Sequence, residues 1–187
     1  MKKEDIITLP HASLRQRSKK IGLITKETLV LIDDMKTAML DWENSRDHEI
    51  TVGLAASQVN HLLRLFIVRD QKDPEKFIVF INPEITKYEG EQKTDYEGCL
   101  SIKEVYGLVP RYETVRVKAT DINGKLFSLK AKGDMARILQ HETDHNNGVV
   151  FVDHIKESKD AFFKLEKNGK LTKLDYEKDI LNNSILW

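Results

Sequence analysis

"LQHETDHNNG", residues 139 to 148, holds two histidines four positions apart, with a glutamate directly after the first. On a helix, residues four apart lie on the same face, so the ring nitrogens of His141 and His145 can point at one metal ion. Glu142 is rotated away from that point and is placed to act as a general base in metal-assisted hydrolysis. The stretch therefore predicts a central helix that carries part of a metal site.

This helix has candidate ends on both sides. Asp134, which follows Gly133, is a candidate N-cap, and Gly148 is a candidate end of the helix. A surface helix with two unrelated histidines would show the same short pattern, so the motif needs a second line of evidence.

A catalytic metal site needs a third protein ligand. In one zinc-protease pattern a third histidine follows the motif, but this chain has Phe151 at that position, and His154 comes three residues later. Another protease class takes a glutamate from a later helix. Three downstream glutamates are available for that role: Glu157, Glu166 and Glu177.

The only cysteine, Cys99, is a different candidate for the third ligand. A lone cysteine excludes an internal disulfide and is most often a small buried hydrophobic residue. With no second cysteine, a four-ligand structural zinc site of the usual kind is not indicated. A thiolate with two imidazoles would instead give three ligands and one open position. Cys99 and the downstream glutamates are therefore alternatives.

Composition is that of a soluble globular protein. The chain has 187 residues, 40% of them apolar and 32% charged, which indicates one domain over residues 1–187. No apolar run is long enough to cross a bilayer or to act as a signal peptide, so a cytoplasmic location is expected. Thirty basic residues balance thirty acidic ones, so neither nucleic acid nor a membrane is expected as a specific partner.

Other segments predict a mixture of helix and strand. A helix capped by Thr25 is expected to run to Trp42. Its apolar stripe comprises Leu29, Ile32, Met35, Met39 and Trp42. Short β-type runs at 65–68 and 77–81 predict paired strands.

Two Asn-Gly dipeptides predict hairpins, because both residues tolerate positive φ. One lies at 123–124, between apolar runs at 115–119 and 126–129, and the other lies at 168–169. Charges alternate in sign from Lys156 to Asn183, which is typical of a solvated face.

Three motifs resemble those of the peptide deformylase family. The family has Gly-x-Gly-x-Ala-Ala-x-Gln, Glu-Gly-Cys-Leu-Ser and Gln-His-Glu-x-Asp-His, in this order. Here the corresponding stretches are 51–58 (TVGLAASQ), 97–101 (EGCLS) and 140–145 (QHETDH). Together they are far more specific than the histidine pair alone. The resemblance implies an α+β fold in which antiparallel sheets surround the central helix.

The resemblance also implies a reaction and a cofactor. Members of the family hydrolyse the formyl group from the N-terminal formyl-methionine of new polypeptides, and this gives formate. The implied ligands of one divalent metal are Cys99, His141 and His145. Fe²⁺ is the expected metal in the cell, and Zn²⁺, Ni²⁺ or Co²⁺ are substitutes. The implied partners are formyl-methionyl nascent peptides, with a transient ribosome contact.

Catalytic roles follow from the same resemblance. Glu142 would move the proton. The side-chain amide of Gln58 and the backbone N–H of Leu100 would donate to the oxygen that gains negative charge. A buried amide that satisfies local backbone is the alternative interpretation of Gln58.

Substrate binding is implied for a second group of residues. Gly53 resembles the glycine whose backbone pairs with the extended substrate. Val52, Glu97 and Gly98 are assigned to the same substrate-binding group, and Glu97 has a supporting place behind the ligands. Arg111 resembles an arginine that follows the second motif, although by itself it is more typical of a surface ion pair.

The chain departs from the family pattern at several positions. Thr51 replaces the first glycine of the first motif, Ser57 stands where many relatives have proline or threonine, and Asn146 stands where leucine is usual. The stretch 103–111 resembles the form with insertions found in Gram-positive and related bacteria. The rival functions are a general zinc endopeptidase with a downstream carboxylate ligand and a non-enzymatic metal-binding module.

Overall fold

The computed structural model describes residues 1–45, 51–70 and 72–181. Within these ranges the two α-helices are α1 (Lys26–Asn44) and α2 (Gly133–Asn146). The strands are β1 (Gly53–Ala55), β2 (Leu65–Arg69), β3 (Phe77–Cys99), β4 (Ile102–Thr120), β5 (Leu126–Lys132), β6 (Phe162–Leu165) and β7 (Leu171–Lys173). Short helical turns lie at Lys3–Asp5, Ala12–Arg15, Ala56–Val59, Phe151–His154 and Tyr176–Ile180.

The seven strands form one open antiparallel sheet. Its order is β1-β2-β3-β4-β6-β7, and β5 pairs with the second half of β4. Because β4 is long, it pairs with β6 through residues 105–107 and with β5 through residues 114–120. Few helices and an antiparallel sheet confirm the expected α+β class.

The longest hairpin joins β3 to β4 and positions the cysteine. The predicted strand at 77–81 continues to Cys99, far beyond the apolar run that indicates it. Only Leu100 and Ser101 separate the two strands, and Cys99 pairs with Ile102 across the turn. Cys99 is therefore held by strand pairing on one side and a tight turn on the other.

The histidine helix α2 follows β5 directly. The predicted cap is wrong, because Lys132 occupies the N-cap position and Asp134 lies in the first turn. There a carboxylate still interacts favourably with the positive end of the helix dipole. The helix ends at Asn146, and Gly148 follows with a φ of 74°, which confirms the predicted end. The helix packs against β1 to β5 and so lies centrally.

Helix α1 begins as expected, with the Thr25 side chain accepting a hydrogen bond from the backbone N–H of Thr28. Four members of the predicted stripe are buried: Ile32, Met35, Met39 and Trp42. Leu29 is 40% exposed, and Leu31 is buried in its place. The buried face repeats regularly through Thr28, Leu31, Ile32, Met35, Ala38, Met39 and Trp42, so Leu29 lies one residue outside it.

The remaining sequence signals for strands and turns are confirmed. Strands β2 and β3 pair from Leu65–Ile81 to Arg69–Phe77. Gly124 in the β4–β5 hairpin and Gly169 in the β6–β7 hairpin have φ values of 80° and 78°. Both glycines therefore occupy the left-handed region, whereas Asn123 and Asn168 do not, so the two hairpins form without the tight turn in which both residues have positive φ.

Three apolar clusters pack around these elements. One lies between α1 and strands β1 to β3, and the second lies between α2 and strands β2 to β5. The third joins the start of β4 to β6 and reaches Ile180. Phe162 and Ile180 have no exposed surface, so the expectation of a solvated tail is wrong at these two positions. Residues 182–183 of that tail lie outside the described ranges.

None of the helices in the described residues combines the length and the apolar character that crossing a membrane requires.

Candidate active site

A thiol and two imidazoles converge where the β3–β4 turn meets α2. Cys99 Sγ and a ring nitrogen from each of His141 and His145 lie within 4.8 Å of one another. The Cys99 Sγ to His145 Nε2 distance is 3.3 Å. One sulfur and two imidazole nitrogens suit zinc, iron, nickel or cobalt rather than magnesium or calcium. The chemistry of these donors therefore fits a divalent transition metal.

The protonation of the two histidines differs. Burial and the neighbouring His141 lower the pKa of His145, which favours the neutral imidazole that binds metals. Burial also lowers the pKa of His141, but hydrogen bonds with Cys99 and Glu97 outweigh it and raise the pKa well above its usual value. A proton and a metal ion therefore compete for the ring nitrogen of His141 that faces Cys99.

Glu97 lies behind His141 and fixes its orientation. Its Oε2 is 3.1 Å from His141 Nδ1, which leaves the other ring nitrogen directed toward Cys99. A carboxylate on the outer nitrogen is the usual partner of a ligand histidine. Burial raises the pKa of Glu97, but the hydrogen bonds from His141 and Arg111 outweigh it and hold the pKa well below its usual range. Glu97 is therefore an anion.

Arg111 is buried rather than part of a surface ion pair, so that interpretation of the sequence is wrong. It is 5% exposed and donates from Nε and Nη2 to the two carboxylate oxygens of Glu97, at 2.9 and 3.0 Å. Its Nη1 donates to Asp144 at 2.5 Å. Burial lowers the pKa of Arg111, but its pairing with the two carboxylates raises it above the usual value. The guanidinium thus stays charged inside the protein.

Glu142 has a different environment, although it is buried to a similar extent. It is 3% exposed, and its Oε2 has no hydrogen-bond partner among the described residues. Burial raises the pKa of Glu142 to about 7. A carboxyl group that titrates near neutral pH can both accept and return a proton.

Gln58 and Leu100, the two expected oxyanion donors, are both neighbours of Cys99. Gln58 Oε1 accepts from the backbone N–H of Ala55 at 2.9 Å, and its Nε2 donates to Ser101 Oγ at 3.1 Å and to Cys99 Sγ at 3.5 Å. Leu100 follows Cys99 in the turn. The Gln58 amide therefore does bind the local backbone, and this hydrogen bond directs its Nε2 group toward Cys99.

A pocket of about 420 Å³ opens over this group. The predicted residues that line it are Val52, Gly53, Gln58, Glu97, Gly98, Cys99, Leu100, His141 and Glu142. His145 is 1% exposed and is not part of the lining. The structure thus brings together all the predicted site residues, nine on the pocket wall and one beneath it.

Strand β1 forms one side of the pocket. Among the described residues it is the terminal strand of the sheet and pairs only with β2, so its other edge can pair with an extended peptide. A Cβ on Gly53 would lie 2.5 Å from Glu142 Oε1. The glycine therefore makes space for the carboxylate as well as for a peptide backbone. Gly98 has a comparable role, since a Cβ there would meet the Tyr106 ring at 2.7 Å.

Thr51, in place of the motif glycine, adds hydrogen bonds. Its hydroxyl donates to Glu43 Oε2 at 3.0 Å. Arg69 donates to the same carboxylate oxygen at 2.7 Å and to the Thr51 carbonyl at 3.1 Å. The end of α1 is thus tied to the chain that enters β1.

The other two departures are accommodated as well. Ser57 Oγ donates to the carbonyl of His145 at 3.3 Å. Asn146 Oδ1 accepts from the backbone N–H of Leu65 at 3.1 Å. Both polar side chains therefore connect the ligand helix to its surroundings.

The downstream glutamates do not join the cysteine and histidines. Glu166 accepts a hydrogen bond from Thr172, Glu177 pairs with Lys159, and Glu157 is exposed. Phe151, at the position of a third histidine, is fully buried and its ring stacks 6.3 Å from that of His141. His154 contacts Asp144 and Arg111. The geometry therefore favours Cys99 as the third donor.

Several neighbours of the site are not predicted from the sequence. Arg137 donates to Glu97 at 2.8 Å, and Ser101 holds the Gln58 amide. Arg137 lies four residues before His141 on α2, and this spacing is a signal that could have identified it. Asp144 and Ser101 lie inside the two later motifs. Leu165 and Leu171, which also line the pocket, carry no local signal.

The chain is similar to known proteins over most of its length. The family model described as polypeptide deformylase matches residues 3–161. Peptide deformylase of Dehalococcoides mccartyi strain CBDB1 is 41% identical over 166 residues, which cover 89% of this chain and 93% of that protein. Peptide deformylase 1 of Clostridium perfringens strain 13 is 44% identical over 141 residues, which cover 75% and 90% of the two chains.

Solved structures show the same likeness. A peptide deformylase from Legionella pneumophila superposes with a TM-score of 0.73 at 40% identity, over 80% of this chain and 83% of that one. A peptide deformylase from Synechococcus elongatus in complex with actinonin gives 0.72 at 37% identity, over 80% and 76% of the two chains. With the fold, the motifs and the family match in agreement, this chain belongs to the polypeptide deformylase family.

Proposed function

We propose that this chain hydrolyses the formyl group of N-terminal formyl-methionine on newly synthesised polypeptides and releases formate. The observation that carries the proposal is the placement of Glu142 in one pocket with Cys99 and His141, next to the edge of β1 that no other described strand pairs with. A hydrolase needs a base at the reacting centre and a means of holding the substrate, and the pocket supplies both.

In this proposal Cys99, His141 and His145 hold one divalent metal, Fe²⁺ in the cell, with Zn²⁺, Ni²⁺ or Co²⁺ as substitutes. A divalent ion held there would supply Lewis-acid chemistry, the polarisation of a carbonyl oxygen and the activation of water near neutral pH. Glu97 keeps the Nδ1 of His141 occupied, so that the other nitrogen remains available as a ligand. Arg111 and Arg137 keep Glu97 anionic and in place.

Glu142 carries the proton through the reaction. Its carboxylate accepts a proton from the attacking water, and the resulting acid returns it to the nitrogen as the C–N bond breaks. The carboxyl group suits both steps because burial raises its pKa to about 7. The unpartnered Oε2 is the atom available for the transfer.

Gln58 and Leu100 stabilise the oxygen on which negative charge grows. The Gln58 Nε2 group and the Leu100 backbone N–H both lie beside Cys99, where the formyl group must sit. Removal of one such donor typically lowers the rate by about a hundredfold to a thousandfold.

The substrate is held as an added strand. The backbone of Val52 and Gly53 pairs with the peptide, Gly98 borders its other side, and the pocket takes the methionine side chain. We place residues 1–187 in one catalytic domain that acts in the cytoplasm on nascent chains. A transient ribosome contact is part of this proposal, and a specific nucleic-acid or membrane partner is not.

The test is formate release from a formylated methionyl peptide, measured beside the unformylated twin in the presence of ferrous iron. Formate from the first peptide, without cleavage of the second, supports the proposal. Cleavage of internal bonds in the unformylated peptide would instead identify an endopeptidase. Metal binding without hydrolysis of either peptide would identify a metal-binding module.

The ligand assignment has its own test. Cys99→Ser replaces a soft thiolate by a hydroxyl, so we expect a lower metal content after dialysis or a changed metal preference. Metal analysis of both proteins measures this directly. Unchanged metal content together with unchanged activity would remove Cys99 from the ligand set.

A further inference from the structure

We propose that the β6–β7 hairpin, residues 162–173, forms an apolar subsite for the peptide residues that follow the formylated methionine. The inference rests on the proposed function and adds a substrate preference to it. The match to the family model ends at residue 161, so this hairpin lies in the part of the chain beyond that match.

The hairpin is fixed to the sheet close to the active site. Strand β6 pairs with the first half of β4 through Tyr106–Phe163 and Gly107–Phe162. Phe162 has no exposed surface, and the ring of Phe163 meets that of Tyr96 edge-on at 5.1 Å. Because Tyr96 and Tyr106 themselves line the pocket, the hairpin is anchored to the pocket wall.

One face of the hairpin continues this wall. Side chains alternate along a strand, so Leu165 lies on the same face as Phe163, which contacts Tyr96. Leu171 is the direct partner of Leu165 in β7 and shares that face. Both leucines line the same pocket as Glu142, and both are partly exposed.

The position of the formyl group determines which substrate residues can contact Leu165 and Leu171. The formyl group is at the very start of the substrate, so the first residue must sit beside Cys99 and Glu142. The following residues have to leave through the rest of the pocket, whose wall includes Ile102, Leu165 and Leu171. The two leucines of the hairpin are apolar side chains on this wall, beside the charged Lys103 and Glu104, so apolar residues after the methionine are the substrate feature that the leucines favour.

The experiment compares three substrates: formyl-methioninamide, formyl-Met-Leu-Leu amide and formyl-Met-Ser-Ser amide. The unaltered protein is expected to show kcat/KM about tenfold higher for the Leu-Leu peptide than for the Ser-Ser peptide, through partial burial of the leucines. The double variant Leu165→Ser/Leu171→Ser should lose this ratio. Its kcat/KM for formyl-methioninamide should fall by less than that for formyl-Met-Leu-Leu amide, because only the longer substrate carries side chains beyond the methionine.

Leu126→Ser is the matched control. Leu126 is 77% exposed on β5, in another hairpin, and does not line the pocket. This variant should keep the full ratio between the two peptides. If the double variant does not fold, the single variants Leu165→Gln and Leu171→Ser provide the same comparison, and each should lower the ratio.

The outcomes separate the two proposals. Formate from all three substrates with equal kcat/KM for the two peptides would overturn the subsite and leave the proposed function standing. An equal loss on all three substrates in the hairpin variants would also overturn it, since the hairpin would then support the site as a whole. No formate from any substrate with the unaltered protein would overturn the proposed function and the subsite with it.

Discussion

Glu97 and Glu142 are two buried glutamates next to the same histidine, one in contact with its ring and one following it in the chain, and their environments are opposite. Glu97 is 6% exposed and Glu142 is 3% exposed. Glu97 accepts hydrogen bonds from two arginines and faces His141, whereas Glu142 Oε2 has no partner in the described part of the chain. The pKa of Glu97 is held well below its usual range, whereas that of Glu142 rises to about 7.

The difference shows that burial alone does not decide the charge of a carboxyl group. Burial raises the pKa in both cases, and only the hydrogen bonds and the charges of the partners reverse the result at Glu97. A carboxylate with several cationic partners is a fixed anion that can orient a ligand histidine. A carboxyl group with an unpartnered oxygen is free to exchange a proton. Replacing Glu142 should therefore lower the catalytic rate, whereas replacing Glu97 should lower the stability of the protein.

Glu142→Gln should have the largest effect on catalysis. The amide fills the same space but cannot accept the proton, so kcat should fall by about a hundredfold to ten-thousandfold. Metal content and the free energy of unfolding should stay close to those of the unaltered protein. Formate release, metal analysis and urea unfolding measure the three quantities.

Asp134→Asn is the control for Glu142→Gln, because Asp134 is an exposed acid at the start of the same helix. It should leave turnover and metal content unchanged and lower the unfolding free energy by no more than about 1 kcal/mol, through the lost interaction with the helix dipole. Turnover by Glu142→Gln at the unaltered rate would show that Glu142 is not the base.

Gly53→Ala tests the geometry of Glu142 without removing it. The added Cβ would lie 2.5 Å from Oε1, so the carboxylate has to move. A displacement of about 1 Å at a reacting group lowers the rate by about a hundredfold, and we expect a loss of that order in kcat. Gly22→Ala is the control, since a Cβ there meets nothing within 4 Å. An unchanged kcat for Gly53→Ala would mean that the position of Glu142 tolerates such a shift.

Glu97→Gln should act on stability and metal binding more than on the proton transfer. The substitution leaves Arg111 buried beside a neutral amide, and removing one partner of a buried ion pair costs about 3–5 kcal/mol of unfolding free energy. Metal affinity should fall by about tenfold to a hundredfold, because His141 loses the carboxylate that orients it. Urea unfolding and competition with a chelator measure the two effects. An unchanged free energy of unfolding would contradict the claim that Glu97 is a structural anion paired with Arg111.

Much of the site could be predicted from sequence because its signals are local. The spacing of His141 and His145 on one helix face and the three short motifs hold without knowledge of the fold. The burial of Arg111 could not be predicted, because it depends on pairing across the long β3–β4 hairpin. Glu97 and Arg111 are 14 residues apart and meet only when that hairpin closes and α2 brings Asp144 against it. The apolar wall of the β6–β7 hairpin likewise depends on its pairing with β4.

Arg137→Met should give the smallest effect. It tests how much each of the two arginines, Arg111 and Arg137, contributes to stabilising the Glu97 carboxylate. Arg137 Nη1 donates to Glu97 Oε1 and to the carbonyl of Val109, both at 2.8 Å, but Arg111 would remain in place. The unfolding free energy should therefore fall by about 1–3 kcal/mol, less than for Glu97→Gln. Arg116→Met, at a 47% exposed side chain, is the control and should change it by less than about 0.5 kcal/mol. A loss as large as that of Glu97→Gln would mean that Arg137, rather than Arg111, keeps Glu97 ionised.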